Sequence, residues 1–160
     1  MIILGVDPGS LRTGYGVIET DGRRHRLLEM GILAPPARQE LPARLRAIHA
    51  GLAALIARLR PDVLAVEDIF HGKNARSALV LGHVRGVVLL AGADAGLAVS
   101  AFPPATVKVQ VTGFGRAEKS QVAVMVARIL ELDEQQAGDA TDALAVALCH
   151  AHLHTVRSAS

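Results

Sequence analysis

Aromatic residues are scarce in this chain, which has no tryptophan, one tyrosine and three phenylalanines among its 160 residues. Modules that hold single-stranded nucleic acid on a sheet of stacked rings need several exposed aromatic side chains. The composition therefore excludes that mode of recognition. Any contact with nucleic acid must depend on charge, on shape and on an isolated ring.

Cysteine is nearly absent as well, since Cys149 is the only one. No disulfide framework and no multi-cysteine zinc site can form from a single thiol. The amino terminus has no basic segment before its short apolar run, which argues against a secretory signal peptide. Charges are expected to interrupt the other apolar stretches before they reach the length of a membrane span. We therefore predict a cytoplasmic protein without a membrane partner.

Neither sign of charge dominates, because 17 Lys and Arg residues stand against 15 Asp and Glu residues, for a net charge of +2. This balance permits binding to nucleic acid without requiring it. Hydrophobic residues make up 51% of the chain, which is too many for a disordered segment. The length suits one domain, which we predict over residues 1–155, followed by a short tail at 156–160.

Apolar runs and turn signals alternate in an order that predicts the fold class. Three strand-like segments come first, and helical and strand-like segments then alternate. This order is typical of an α/β fold with one mixed five-stranded sheet, whose three N-terminal strands are antiparallel and whose later strands are parallel, with helices on both faces. The predicted strands cover residues 2–6, 13–19, 25–34, 63–66 and 97–102, and the predicted helices cover residues 41–59, 75–93, a short segment around 108, 118–130 and 139–152.

Two of the predicted strands lead directly into an acidic residue, Asp7 and Glu67 respectively. Sites in open α/β sheets lie beyond the carboxyl ends of parallel strands. Asp139 and Asp142 are three residues apart, so they share one face of the last predicted helix. If that helix begins over the same sheet edge, the four carboxylates converge.

Four converging carboxylates raise each other's pKa unless cations balance their charge. Mg²⁺ prefers oxygen ligands, and a pair of such ions forms the clamp used for in-line displacement at a phosphodiester. The pattern therefore predicts two Mg²⁺ ions per site, with Mn²⁺ as a substitute. Taken singly, Asp7 is also typical of a turn and Asp139 of a helix N-cap.

A series of motifs runs through most of the chain. Asp-Pro-Gly-Ser at 7–10 and Thr-Gly-Tyr-Gly at 13–16 are followed by Val-Glu-Asp-Ile-Phe at 66–70, by Gly-Arg-Ala-Glu-Lys-Ser-Gln-Val at 115–122 and by Asp-Ala-Thr-Asp-Ala-Leu-Ala at 139–145. Together they resemble the RuvC-type Holliday junction resolvases of the ribonuclease H-like superfamily. The resemblance implies a ribonuclease H-like fold and an endodeoxyribonuclease of recombination and repair, which makes paired symmetric nicks in four-way DNA junctions and leaves 5′-phosphate and 3′-hydroxyl ends.

The resemblance also implies roles for residues and partners. It makes the four acids metal ligands, and it implies a homodimer that works with a branch-migration motor of the RuvA and RuvB type. Lys108 and Lys119 match catalytic basic residues beside the scissile strand, and Phe70 matches a ring that contacts unstacked bases. Basic residues in or beside the predicted loops are further candidates for contacts with the substrate: Arg12, Lys73, Arg76 and Arg116.

Other interpretations of the same residues stay open at this stage. A related nuclease could act on RNA or on RNA·DNA hybrids, and a junction-binding protein without activity would keep the same fold. The Asp-Pro-Gly turn also occurs in actin-like kinases, although that architecture needs two lobes of this size. Gly82 and Gly86 predict close helix packing, either within the chain or across a dimer. His150, His152 and His154 have no role assigned by the sequence.

Overall fold

The computed structural model describes residues 1–68, 74–133 and 140–158. Within these residues, strands and helices follow one another in the predicted order. The strands are β1 (Ile2–Asp7), β2 (Thr13–Thr20), β3 (His25–Leu33), β4 (Val63–Glu67) and β5 (Ala98–Phe102); the helices are α1 (Leu41–Leu59), α2 (Ala75–Asp94), α3 (Pro104–Thr112), α4 (Lys119–Ile129) and α5 (Thr141–Ser158).

The five strands form one sheet in the order β3-β2-β1-β4-β5. β1 pairs antiparallel with β2, which pairs antiparallel with β3, whereas β1, β4 and β5 run parallel to one another. The predicted mixed sheet is therefore confirmed. Because Val6 of β1 is in register with Val66 of the adjacent parallel strand β4, both strands deliver their last residue, an acid in each case, to the same edge.

Side chains alternate between two apolar cores, one on each face of the sheet. Ile3 and Ile18 point into the core beneath α3, α4 and α5, whereas Leu4 and Val17 point into the core beneath α1 and α2. The period of two along each strand explains this division. It places helices on both faces, as predicted.

Helix α5 lies directly on the backbone of β1 and β2. A Cβ atom added to Gly5 would stand 2.2 Å from the carbonyl oxygen of Ala143 and 2.8 Å from the backbone nitrogen of Ala147. A Cβ atom on Gly16 would stand 2.5 Å from Leu144 Cδ2. Glycine inside a strand weakens the strand, but it permits another backbone to approach closely. These two glycines therefore set how near α5 comes to the sheet.

Helix α2 departs from the expectation that charges interrupt every long apolar stretch. By length and composition alone it could cross a membrane, with a mean hydropathy of 1.3 over its most apolar window. Its inner face carries Val84 and Val88, which are buried in the core shared with α1, and Arg85 pairs with Asp68 at 2.9 Å. We therefore interpret α2 as a helix that packs on the sheet with one face.

The outer face of α2 carries large apolar side chains that are exposed. Leu79 and Leu90 are 63% and 52% exposed, and a Cβ atom added to Gly82 or Gly86 would meet nothing within 4 Å. Gly82 and Gly86 were predicted to pack closely either within the chain or across a dimer. Because no described residue of the chain packs on them, packing across a dimer is the alternative that remains.

We predict that Gly5→Ala lowers the free energy of unfolding by at least about 2 kcal/mol, because the new methyl group would overlap backbone atoms of α5 that cannot rotate away. Urea unfolding followed by circular dichroism measures this change. Gly51→Ala in α1 is the matched control, because its Cβ would meet only the flexible end of the Leu33 side chain. The control is expected to stay within about 1 kcal/mol of the wild type. Equal stability of the two variants would contradict the account.

Candidate active site

Three acids from separate elements meet at the carboxyl edge of the sheet. Asp7 ends β1, Glu67 ends β4, and Asp142 lies in the first turn of α5. The side chains of Asp7 and Glu67 share a hydrogen bond, and the charge of Asp142 acts on both of them. All three residues are half-buried. The predicted convergence thus holds for three of the four acids.

Burial and repulsion perturb the carboxyl groups of Asp7 and Glu67. Burial, followed by the charge of Asp142, raises the pKa of Asp7. Burial, the charge of Asp7 and the hydrogen bond to Asp7 raise the pKa of Glu67 to about 7. Two carboxyl oxygens can share a hydrogen bond only if one of them carries a proton. Full ionisation of the cluster is therefore unfavourable unless a cation balances its charge.

Lys119 is the basic residue that pairs with this group of acids. Its Nζ lies 2.7 Å from Asp142 Oδ2, and this hydrogen bond is the main cause that raises the pKa of Lys119. The side chain is otherwise 83% exposed. Lys119 begins α4, where Gln121 Oε1 accepts the backbone N–H of Glu118 at 2.8 Å and caps the helix. The cap thus fixes the point from which Lys119 reaches the acids.

A cleft of about 270 Å³ adjoins the acids. Both predicted lysines line it, with Lys108 contributed by α3 and Lys119 by α4. Two of the acids and several apolar side chains form the rest of its wall. The complete lining is Glu67, Pro104, Val107, Lys108, Lys119, Val122, Asp142 and Ala145.

The other predicted site residues fall into two groups. Arg12 lies in the β1–β2 connection, Arg76 in the first turn of α2 and Arg116 in the α3–α4 connection, and all three are exposed. The remaining three predicted residues lie outside the described part of the chain: Phe70, Lys73 and Asp139.

A divalent cation would suit the donors that the site offers. Within residues 1–68, 74–133 and 140–158, no three His, Cys, Asp or Glu side chains are already grouped as a metal site. Asp7, Glu67 and Asp142 nevertheless provide only carboxylate oxygens, the donor type that hard divalent cations prefer. Burial first, and then the charge of neighbouring carboxylates, raises the pKa of Asp7 and of Glu67, and a bound cation would favour their ionised forms. The residues present therefore fit an oxygen-liganded divalent ion.

The histidines of α5 form no such site. The ring of His150 stacks on that of His154 with centroids 4.0 Å apart, and it meets Phe102 edge-on. Burial, with a smaller contribution from the charge of His154, lowers the pKa of His150 to about 4. At neutral pH His150 is thus an uncharged ring of the core.

The positioning glycines are what sequence reasoning missed. In the sequence, Gly5 lies in an apolar run and Gly16 in a motif, and neither context by itself predicts that α5 approaches the sheet at these residues. A signal was present, because an isolated glycine inside a strand pattern indicates close backbone approach. The pairing of Asp68 with Arg85 had no comparable signal, since the two residues lie on different elements.

Comparison with known proteins places this geometry in a family. The sequence model of the family described as "Crossover junction endodeoxyribonuclease RuvC" matches residues 3–150. The protein of that name from Citrifermentans bemidjiense is 49% identical over 152 residues, which cover 95% of this chain and 93% of the relative. The one from Halorhodospira halophila is 51% identical over 150 residues, which cover 94% of this chain and 89% of the relative.

Solved structures agree with the sequence comparisons. The structure of Thermus thermophilus RuvC superposes with a TM-score of 0.90 at 35% identity, covering 98% of this chain and 97% of the other. The same protein in complex with Holliday junction substrate gives a TM-score of 0.93 at 35% identity, with coverage of 99% and 97%. The chain belongs to the RuvC family of crossover junction endodeoxyribonucleases.

Proposed function

We infer that this protein is an endonuclease that resolves four-way DNA junctions in homologous recombination and DNA repair. The observation that carries the inference is the meeting of three acids and Lys119 at one sheet edge, in a chain that shares 49% of its residues with a crossover junction endodeoxyribonuclease over nearly its whole length. Family membership and site chemistry thus point to the same reaction.

The acids are the proposed metal ligands. Asp7, Glu67 and Asp142 would hold Mg²⁺, with Mn²⁺ as a substitute and Asp139 as the fourth ligand. We propose two ions per site, because four carboxylates balance two divalent charges. Bound ions of this kind stabilise charge on a phosphoryl group and lower the pKa of water. The protein contributes the half-buried sheet edge at which these carboxylates lie.

The two lysines are proposed to act on the phosphate. Lys119 pairs with Asp142 at 2.7 Å; once cations balance the acids, its ammonium group is available to a phosphoryl oxygen. Lys108 is half-buried and lines the same cleft. An ammonium group in a partly buried cleft attracts a phosphate more strongly than one in bulk water does.

Further residues are proposed to hold the DNA around the cleft. Arg12, Arg76 and Arg116 are exposed on separate elements, as contacts with several phosphates require. Phe70 and Lys73 are proposed to contact the crossover itself. We also propose that the protein acts in the cytoplasm together with a branch-migration motor.

A homodimer is proposed to form through the outer face of α2. Leu79, Gly82, Gly86 and Leu90 recur at helical spacing along this exposed face. The small residues would let a second helix approach closely, and the leucines would lose their contact with water. A two-fold dimer presents two identical sites, as symmetric nicks in two strands require.

We predict that Asp7→Asn lowers the rate of junction cleavage by at least about a hundredfold while junction affinity stays within about threefold, because the change removes a proposed metal ligand without removing any cation that meets the DNA. The measurements are single-turnover cleavage of labelled four-way junctions in Mg²⁺ and a mobility shift in chelator. Duplex DNA and RNA·DNA hybrids of the same sequence test the alternative nuclease.

The matched control for this experiment is Asp94→Asn. Asp94 is an exposed acid that pairs with His49 at 3.0 Å between α1 and α2, away from the cleft. Its cleavage rate is expected to equal that of the wild type. Full cleavage by Asp7→Asn, or an equal loss in the control, would rule out the assignment of Asp7.

We predict that Leu79→Glu converts the dimer to a monomer, since a charge on the proposed interface would have to lose its water on association. Sedimentation velocity at micromolar concentration measures the change. Val99→Glu is the control, because Val99 is also exposed, at 39%, but lies on β5. This control should sediment like the wild type. A dimeric Leu79→Glu protein would show that α2 is not the interface.

A further inference from the structure

Phe114 is the aromatic residue that the described chain leaves in solvent. It is 58% exposed, whereas Tyr15 and Phe102 are half-buried and pack against the two cores. Unlike the other two rings, the ring of Phe114 does not obtain the free energy that burial of an aromatic side chain provides. Its exposure therefore calls for a function.

Hydrogen bonds fix Phe114 relative to the catalytic cleft. Thr112 Oγ1 accepts the N–H of Phe114 at 3.1 Å and lies 2.8 Å from the carbonyl oxygen of Lys108, to which it donates. The carbonyl oxygen of Phe114 accepts the N–H of Ala117 at 3.1 Å. Lys108 and Lys119 lie on the helices that flank this connection. The backbone of Phe114 is thus fixed in the connection between the two helices that supply the lysines of the cleft.

The surroundings of the ring match a nucleic-acid strand in both shape and charge. Phe114 borders an apolar groove of about 380 Å³, whose lining contains no acidic residue: Thr112, Phe114, Ala117, Ser120, Gln121, Val124 and Met125. Arg116 is exposed two residues along the same connection. Glu118, the nearest acid in the sequence, holds the N-cap position of α4. An exposed apolar ring with a cationic side chain nearby suits a nucleotide that is flanked by phosphates.

We propose that Phe114 is a DNA-binding residue, whose ring packs against a nucleotide of the strand that enters the cleft while Arg116 contacts a neighbouring phosphate. The proposal rests on the proposed function, because it needs a DNA strand in that cleft. The partner of the ring is the junction strand and not a protein, since the exposed Arg116 lies two residues away and the lining of the groove contains no acidic residue. Phe114 would then position the strand with respect to Lys108 and Lys119.

The absence of tryptophan allows a direct test. Phe114→Trp creates a protein with a single tryptophan, and stacking on a base is expected to quench its fluorescence when a four-way junction is added in chelator. Val124→Trp is the matched control, since Val124 borders the same groove and is 53% exposed. Its fluorescence is expected to change little.

Affinity provides the second measurement. Phe114→Ala should weaken junction binding by about tenfold, within the range of one aromatic–base contact, whereas Val124→Ala should leave it unchanged. Normal affinity for Phe114→Ala, or no quenching in Phe114→Trp, would overturn the proposal while wild-type cleavage keeps the proposed function intact. Equal losses in the Phe114 and Val124 variants would also overturn it, because the groove as a whole would then be the contact. A wild-type protein that neither binds nor cuts junctions would instead refute the proposed function, and this inference with it.

Discussion

The contact between α5 and the glycines of the sheet is the constraint on which the rest of the molecule depends. At Gly5, a side chain as small as a methyl group would collide with the carbonyl oxygen of Ala143. Because α5 lies this close, its first turn brings Asp142 within electrostatic reach of Asp7 and Glu67. A helix held farther away would leave the two strand-end acids without their third partner.

Repulsion between neighbouring carboxylates is the second consequence of this packing. Burial and proximity raise the pKa of Asp7 and of Glu67, and Lys119 compensates only part of the charge through Asp142. Cations that bind to this cluster would stabilise the ionised acids, and with them the folded protein. The same cations would attract the phosphate that the enzyme cuts.

Much of this arrangement could be predicted from the sequence, because its signals are local. Apolar runs ending in Asp7 and Glu67 predicted two parallel strands with acids at one edge, and the order of strand-like and helical segments predicted the mixed sheet. The salt bridge between Lys119 and Asp142 could not be derived locally, since the residues lie on separate helices and only the family resemblance placed Lys119 near the site. The exposure of α2 was also beyond local reasoning, because a leucine on a helix gives no indication of whether anything covers it. Asp139, Phe70 and Lys73 stay predictions.

Anomalous diffraction from crystals grown with Mn²⁺ tests the central claim most directly. The account predicts manganese within about 2–2.3 Å of carboxylate oxygens from Asp7, Glu67 and Asp142, a distance typical of hard divalent ions on oxygen. Such a result would show that α5 completes a site begun by β1 and β4. Manganese bound elsewhere, or bound to the strand acids with Asp142 out of reach, would contradict it.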